Sequence, residues 1–169
     1  MTLDALNLLS SKELQKELSK CCGSSLWVKM MSDQTPYASK ESLIMLADQF
    51  WYRFCTKADW LEAFQHHPEI GDISSLQKKF ASTSNWAGQE QSGVNTAKKE
   101  VLERLSKGNK DYKQKFGFIF IVCATGKSAL QMLELLEARL PNNSDFEIKI
   151  AMEEQAKITK IRLDKLLTS

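Results

Sequence analysis

One stretch of this 169-residue chain, Phe116 to Ala124, reads as a strand, and nothing else in it does. The run Phe116-Gly117-Phe118-Ile119-Phe120-Ile121-Val122-Cys123-Ala124 is apolar, aromatic and β-branched, a composition that suits a pleated, half-buried surface. A strand needs a partner for its ladder, and the chain offers no second convincing candidate. Almost every other segment carries helical rather than alternating periodicity, broken by only three prolines and seven glycines. The expected fold class is therefore all-α. It is a single-domain helical bundle over residues 1–169, with one extended apolar segment, 116–124, crossing the core. The amides and carbonyls of that segment would lack ladder partners, which leaves them available to a ligand.

Helix starts and stops can be placed along the rest of the chain. Thr2 is expected to cap a short first helix through Leu9. Ser10 and Glu13 have the spacing of a capping box, for a second helix ending near Cys22-Gly23. Leu26, Trp27, Met30 and Met31 make a short apolar helix, and Pro36 ends that region. Ser39 precedes a helix with Leu43, Leu46, Ala47, Phe50, Trp51 and Phe54 on one stripe. Thr56 and Asp59 start another, carrying Trp60, Leu61 and Phe64, which delivers the chain to His66-His67-Pro68. A weakly periodic piece covers Ser74 to Ala81. Ser84 is a candidate cap for a long helix with Val94, Ala97, Val101 and Leu105 on one face; Gly108-Asn109 is expected to break it, leaving Asp111 to Lys115 as a separate piece. Thr125 is expected to cap a helix with Leu130, Leu133, Leu136 and Leu140 inward. The last helix, roughly 145–167, has Ile148, Ala151, Met152, Gln155, Ile158 and Arg162 along one side.

Composition removes several function classes. Hydrophobic residues make up 43% and charged residues 26%, ordinary for a globular domain. The 23 Lys and Arg are interspersed with 21 Asp and Glu, so no basic stripe for nucleic acid emerges. The longest apolar runs are too short to span a bilayer, and Met1-Thr2-Leu3-Asp4 lacks the basic start and apolar core of a signal peptide. Leu166-Leu167-Thr168-Ser169 is not a peroxisomal address. Cys21, Cys22, Cys55 and Cys123 form no Cys-x-x-Cys pair, so reduced, buried thiols in a reducing cytoplasm are expected. Two adjacent histidines do not make a zinc site, and no cofactor fingerprint is present.

The residues suited to chemistry cluster around a turn. Both histidines lie at its start, where Pro68 removes a backbone donor and biases His67 toward an extended backbone; Gly71-Asp72 then marks the turn. About twenty residues on, Glu90 and Gln91 sit near the start of the long helix. The pair offers an imidazole titrating near neutral pH and a carboxylate to tune it. On the residues alone, a turn-capping role is the favoured reading of His67, and Glu90 could serve the helix dipole. Gln91 could be solvated, and Arg162 could snorkel from the core edge. His66 is read as a surface residue. Cys123 has no basic neighbour in sequence to make it a thiolate nucleophile.

Three blocks carry a closer likeness: His67-Pro68-Glu69-Ile70-Gly71, Trp86 with Glu90-Gln91-Ser92-Gly93-Val94, and Phe116 to Ala124. In order and spacing, with an arginine in the last helix, they resemble the signature segments of the 2-oxo-4-hydroxy-4-carboxy-5-ureidoimidazoline (OHCU) decarboxylases of urate breakdown. The likeness runs from about Leu3 to Leu166. It implies decarboxylation of OHCU to (S)-allantoin and CO2 without a cofactor. The carbon that loses CO2 lies beside a ring carbon–nitrogen double bond, so the substrate is its own electron sink. It implies His67, Glu90 and Arg162 as catalytic residues: a proton carrier, a carboxylate that raises the imidazole pKa or meets the substrate hydroxyl, and a planar clamp for carboxylate or ureido oxygen. It implies substrate binding by Pro68, Ala87 and Gln91, and by main-chain groups of Phe120, Ile121, Val122, Cys123 and Ala124. Family members often carry a serine three residues before the glutamate; Ala87 holds that place and Ser84 lies three further upstream, so a main-chain contact is expected there.

The partner so implied is a small ureidoimidazoline, with a homodimer as the assembly. Some family members are fused to a transthyretin-like hydrolase domain; with the chain ending after its last helix, that hydrolysis is expected of a separate protein. Two other readings remain in view. A helical interaction module could keep the scaffold without catalysis, although it would be free to lose His67, Glu90, Gln91 and Arg162, which are all present. A hydrolase of a related ureide or cyclic amidine could use His67 as general base. Release of CO2 separates lyase from hydrolase.

Overall fold

The computed structural model describes residues 1–68, 73–80 and 91–168, the side chains of 79–80 and 91–97 apart. Among them lie nine helices and no strand: α1 (Leu3–Asn7), α2 (Ser11–Cys21), α3 (Ser25–Ser32), α4 (Lys40–Arg53), α5 (Lys57–Gln65), α6 (Ile73–Phe80), α7 (Gln91–Phe116), α8 (Ala129–Arg139) and α9 (Ser144–Thr168). The all-α expectation holds. The apolar segment is extended as expected, but it starts one residue later, because Phe116 is the last residue of α7. There Gly117 takes a φ of 78°, a left-handed conformation that glycine enters without a steric penalty, and its N–H returns to the Lys113 carbonyl at 2.9 Å.

The chain divides into two compact units. The first comprises Met1–His67, Ile121–Cys123 and Ile148–Ser169; the second comprises Pro68–Phe120 and Ala124–Glu147.

In the first unit, short helices form because side chains take up their orphaned N–H groups. Thr2 Oγ1 accepts from Ala5 at 3.1 Å, and Ser10 and Glu13 cap each other reciprocally. Ser24 accepts from Trp27 and Ser39 from Ser42. Thr56 donates its N–H and hydroxyl to Asp59, both at 2.7 Å. Each such cap is worth about 1 kcal/mol, which matters for helices of two or three turns. The core fills with Leu6, Leu14, Leu18, Trp27, Met31, Leu43, Trp51 and Phe64, all nearly inaccessible. Two indole N–H groups tie helices together: Trp27 donates to the Ala47 carbonyl at 3.0 Å and Trp51 to the Met152 carbonyl at 2.9 Å. The stripe on α4 stops at Trp51. Phe54 lies past the helix end and is half exposed, contrary to expectation.

The direction of α5 is fixed at both ends. Glu62 accepts from the Ser25 N–H at 2.9 Å and from its hydroxyl at 2.5 Å, placing a carboxylate at the N-terminus of α3. At the other end, a β-carbon on Gly23 would lie 2.4 Å from Cγ of His66. Only a residue without a side chain lets the α2–α3 link approach the end of α5 so closely. His66 is solvent-exposed as expected, yet it also packs over that glycine.

The second unit corrects two helix boundaries. Gly108 does not break the long helix, and residues 111–115 are no separate piece: α7 is continuous through Phe116. A mid-helix glycine costs about 1 kcal/mol against alanine. Here its bareness is used, since a β-carbon would meet Leu136 Cδ2 of α8 at 2.7 Å. Nor does Thr125 cap α8. Thr125-Gly126 forms a turn, with Gly126 at φ 76°, and Ser128 is the N-cap, paired with Gln131 in a capping box. That rotates the buried face to Met132, Leu133 and Leu136 and leaves Leu130 exposed.

A buried polar cluster ties α7, α8 and the start of α9 within this unit. Glu147 accepts from the Tyr112 hydroxyl, from Arg139 Nε at 2.7 Å and from Asn142 at 2.7 Å. Arg139 lies 4.6 Å from the Phe120 ring centroid, and the rings of Phe116, Phe118 and Phe120 surround Tyr112. Burial pushes the Tyr112 phenol well above its usual range, so it stays a neutral donor.

Candidate active site

α5 ends at Gln65 with His66 as its C-cap, and the His67 N–H still donates to the Phe64 carbonyl at 3.2 Å. The following proline disfavours helical backbone at His67, so the imidazole leaves the helix at a defined point. It is half-buried, and it meets α9. His67 Nε2 and Gln155 Oε1 are 2.5 Å apart. Gln155 is completely buried and donates from Nε2 to Thr159 Oγ1 at 3.1 Å. Thr159 lies beside Cys22, where its hydroxyl partly opposes the burial that raises that thiol.

Arg162 lies one turn further along α9. Its Nη1 is 3.4 Å from the carbonyl oxygens of both Lys20 and Cys21, at the negative end of α2. Among the described residues no carboxylate reaches ion-pair distance of it. The site thus holds a cation anchored by carbonyls, with no acid beside it among the described residues.

These neighbours set the charge state of the imidazole. Burial pushes the His67 pKa below its usual value near 6.5; the Gln155 hydrogen bond opposes this, while Arg162 and His66 add to the downward push. The net direction is opposite to what a carboxylate partner would give. At neutral pH His67 is therefore a neutral base with a buried acceptor behind it.

The extended segment also meets α9. Ile121 and Cys123 are buried, and the Cys123 N–H donates to Glu154 Oε2 of α9 at 2.7 Å. Lys157 pairs with the other oxygen of that carboxylate at 2.5 Å. The peptide groups of Val122 have no partner among the described residues.

The residues expected from sequence divide into three groups. His67, Arg162, Ile121, Val122 and Cys123 belong to the first unit. Pro68, Phe120 and Ala124 belong to the second. Pro68 is exposed, Phe120 engages its ring with Tyr112 and Arg139, and the Ala124 carbonyl accepts from Lys127 at 3.1 Å. Ala87 and Glu90 lie outside the described residues, as does the candidate cap Ser84; Gln91 opens α7, but its side chain also lies outside them. Sequence reasoning missed Gln155, Thr159 and Glu154. The first had a signal: a glutamine on the stripe of Ile148, Ala151 and Met152 is a polar group that burial obliges to find a partner.

Cys21, Cys22, Cys55 and Cys123 are free and buried, as expected. Desolvation raises the first three thiols to about 11, 12 and 11 respectively, so they are poor nucleophiles. Among the described residues no group of histidine, cysteine and acidic side chains could hold a metal ion, and no helix is long and apolar enough to cross a membrane.

Comparison with known proteins gives a consistent family. The model of the OHCU decarboxylase family matches residues 7–164. The uric acid degradation bifunctional protein TTL of Arabidopsis thaliana is 38% identical over 156 residues, which are 91% of this chain and 47% of that protein. The uric acid degradation bifunctional protein of Bacillus sp. (strain TB-90) is 30% identical over 98% of this chain and 32% of its own length. The chain thus spans half or less of these two relatives. A crystal structure of OHCU decarboxylase in the presence of (S)-allantoin superposes with a TM-score of 0.71 at 38% identity, covering 90% of this chain and 98% of that one.

Proposed function

The chain belongs to the OHCU decarboxylase family, and on that basis we propose that it converts OHCU to (S)-allantoin and CO2 without a cofactor, as one catalytic domain over residues 1–169. The observation that carries the proposal is the pairing on α9: a neutral, half-buried His67 held by Gln155, with the charge of Arg162 close enough to depress its pKa. A guanidinium suits an anionic substrate, and a neutral imidazole suits proton transfer.

The chemistry asks little more of the protein. When the bond to CO2 breaks, its electron pair moves toward the adjacent ring carbon–nitrogen double bond and the ring nitrogen gains a proton. The resulting enol then loses its hydroxyl proton to become a carbonyl, while the neighbouring carbon gains one. His67 carries the protons, Arg162 holds the carboxylate or ureido oxygen, and the open peptide groups at Val122 receive ring polar atoms. A catalytic role for Glu90, and substrate binding by Pro68, Ala87, Gln91, Ile121, Cys123 and the main chain of Phe120 and Ala124, belong to the same proposal. A homodimer in a reducing cytoplasm is part of the same proposal, and the four free thiols support the compartment.

The test is direct. Freshly generated OHCU incubated with the purified protein should release CO2 and give dextrorotatory-resolved (S)-allantoin faster than the spontaneous reaction. His67→Ala should abolish that acceleration, a loss of about 10²–10⁴-fold for a general acid–base group, with an unchanged far-ultraviolet spectrum. Ring opening without CO2 would identify a hydrolase instead.

A further inference from the structure

We infer that Gln155 is a positioning residue that fixes the tautomer of His67, holding the proton on Nε2 and leaving Nδ1 as the nitrogen that exchanges protons with substrate. The consequence for turnover rests on the decarboxylase proposal; the geometry does not.

A neutral imidazole has one donor and one acceptor nitrogen, and its second partner decides which is which. Here that partner is a primary amide, which can present either its oxygen or its nitrogen. Its far end settles the choice. Gln155 Nε2 donates to the Thr159 hydroxyl oxygen at 3.1 Å. With the amide nitrogen so used, Oε1 faces His67 Nε2. An oxygen can only accept, so Nε2 must carry hydrogen. The polarity runs from imidazole to amide to hydroxyl. Gln155 is fully buried, so water cannot replace it. His67 Nδ1 has no partner among the described residues. Among the described residues, the other titratable or charged groups acting on this imidazole are Arg162 on α9 and His66 at the end of α5.

The experiment uses uniformly ¹⁵N-histidine-labelled full-length protein without substrate. The protein has only two histidines, and the signals lost in His67→Asn assign the second. Above its pKa, His67 should show Nε2 protonated and Nδ1 bare; the reverse tautomer overturns the inference. Gln155→Leu should give a mixture of tautomers. In turnover it should lower kcat at least tenfold with little change in KM and shift the acidic limb of kcat/KM to lower pH. Gln155→Glu, which keeps an acceptor, should retain the Nε2–H form and shift that limb to higher pH. A Gln155→Leu protein with the wild-type tautomer and limb also overturns it. If the wild-type protein releases no CO2 from OHCU while the tautomer is as stated, the decarboxylase proposal fails and the assignment stands.

Discussion

Glu154 of α9 holds the main chain of Cys123 by accepting its N–H at 2.7 Å. An apolar run with strand-like composition would normally seek a ladder; here a helix side chain takes up one of its donors instead. Glu154→Leu should remove that charge-assisted hydrogen bond, a cost of about 1–3 kcal/mol. We expect a raised KM with kcat less affected, because the segment would line the site less firmly. Glu154→Gln, which keeps the acceptor, should stay within threefold of wild type. Steady-state kinetics on both variants checks this.

Arg162 should act in binding before chemistry. Arg162→Met removes the charge while preserving most of the stem that packs at the end of α2, so stability should change little. KM for OHCU should rise at least tenfold, and the His67 pKa should move upward, because one cause of its depression is gone. An unchanged His67 titration by NMR would show that the two are not electrically coupled.

The depressed His67 pKa also fixes a pH dependence of stability. The unfolded histidine titrates near 6.5 and the folded one below it. As pH falls from about 7 through 6.5, the unfolded chain gains a proton that the folded chain does not, so stability falls. The loss levels off once pH passes below the folded value. His67→Gln should flatten this part of the profile; urea midpoints across pH 5–7.5 measure it.

Gly108 and Leu136 should be coupled. Gly108→Val fills the space where α8 approaches α7 and should destabilise by about 1–3 kcal/mol. Combined with Leu136→Ala, part of that loss should return, giving a double-mutant coupling above about 0.5 kcal/mol. Strict additivity would mean that the two positions do not meet.

Arg139→Met should be severe, about 3–5 kcal/mol, because it strands the Glu147 carboxylate in the interior of the second unit. Arg139→Met with Glu147→Leu should recover much of it. Thermal unfolding of the two variants distinguishes a costly lone charge from a loss of packing.

How much of this was legible beforehand depended on whether the signal was local. Ser10–Glu13, Ser39 and Thr56–Asp59 announce helix starts because a cap acts within four residues. His67 ahead of Pro68 marked the turn for the same reason. Gly108 was misread because its cost is local and its compensation, Leu136, is 28 positions away. Thr125 lost to Ser128 because either hydroxyl could cap, and the left-handed Gly126 between them decides. Gln155 sat in plain view on an apolar stripe, but its partner is 88 residues distant. Arg162 was found through its family resemblance; its carbonyl anchors at Lys20 and Cys21 have no signature in the chain.

All four cysteines fall in the unit that contains His67, and none in the other. A thiol reagent added to the native protein therefore reads out the breathing of one half of the molecule while the other stays silent. Alkylation rates become a clock for how often the surroundings of the imidazole come apart, and any ligand that settles against them should slow that clock.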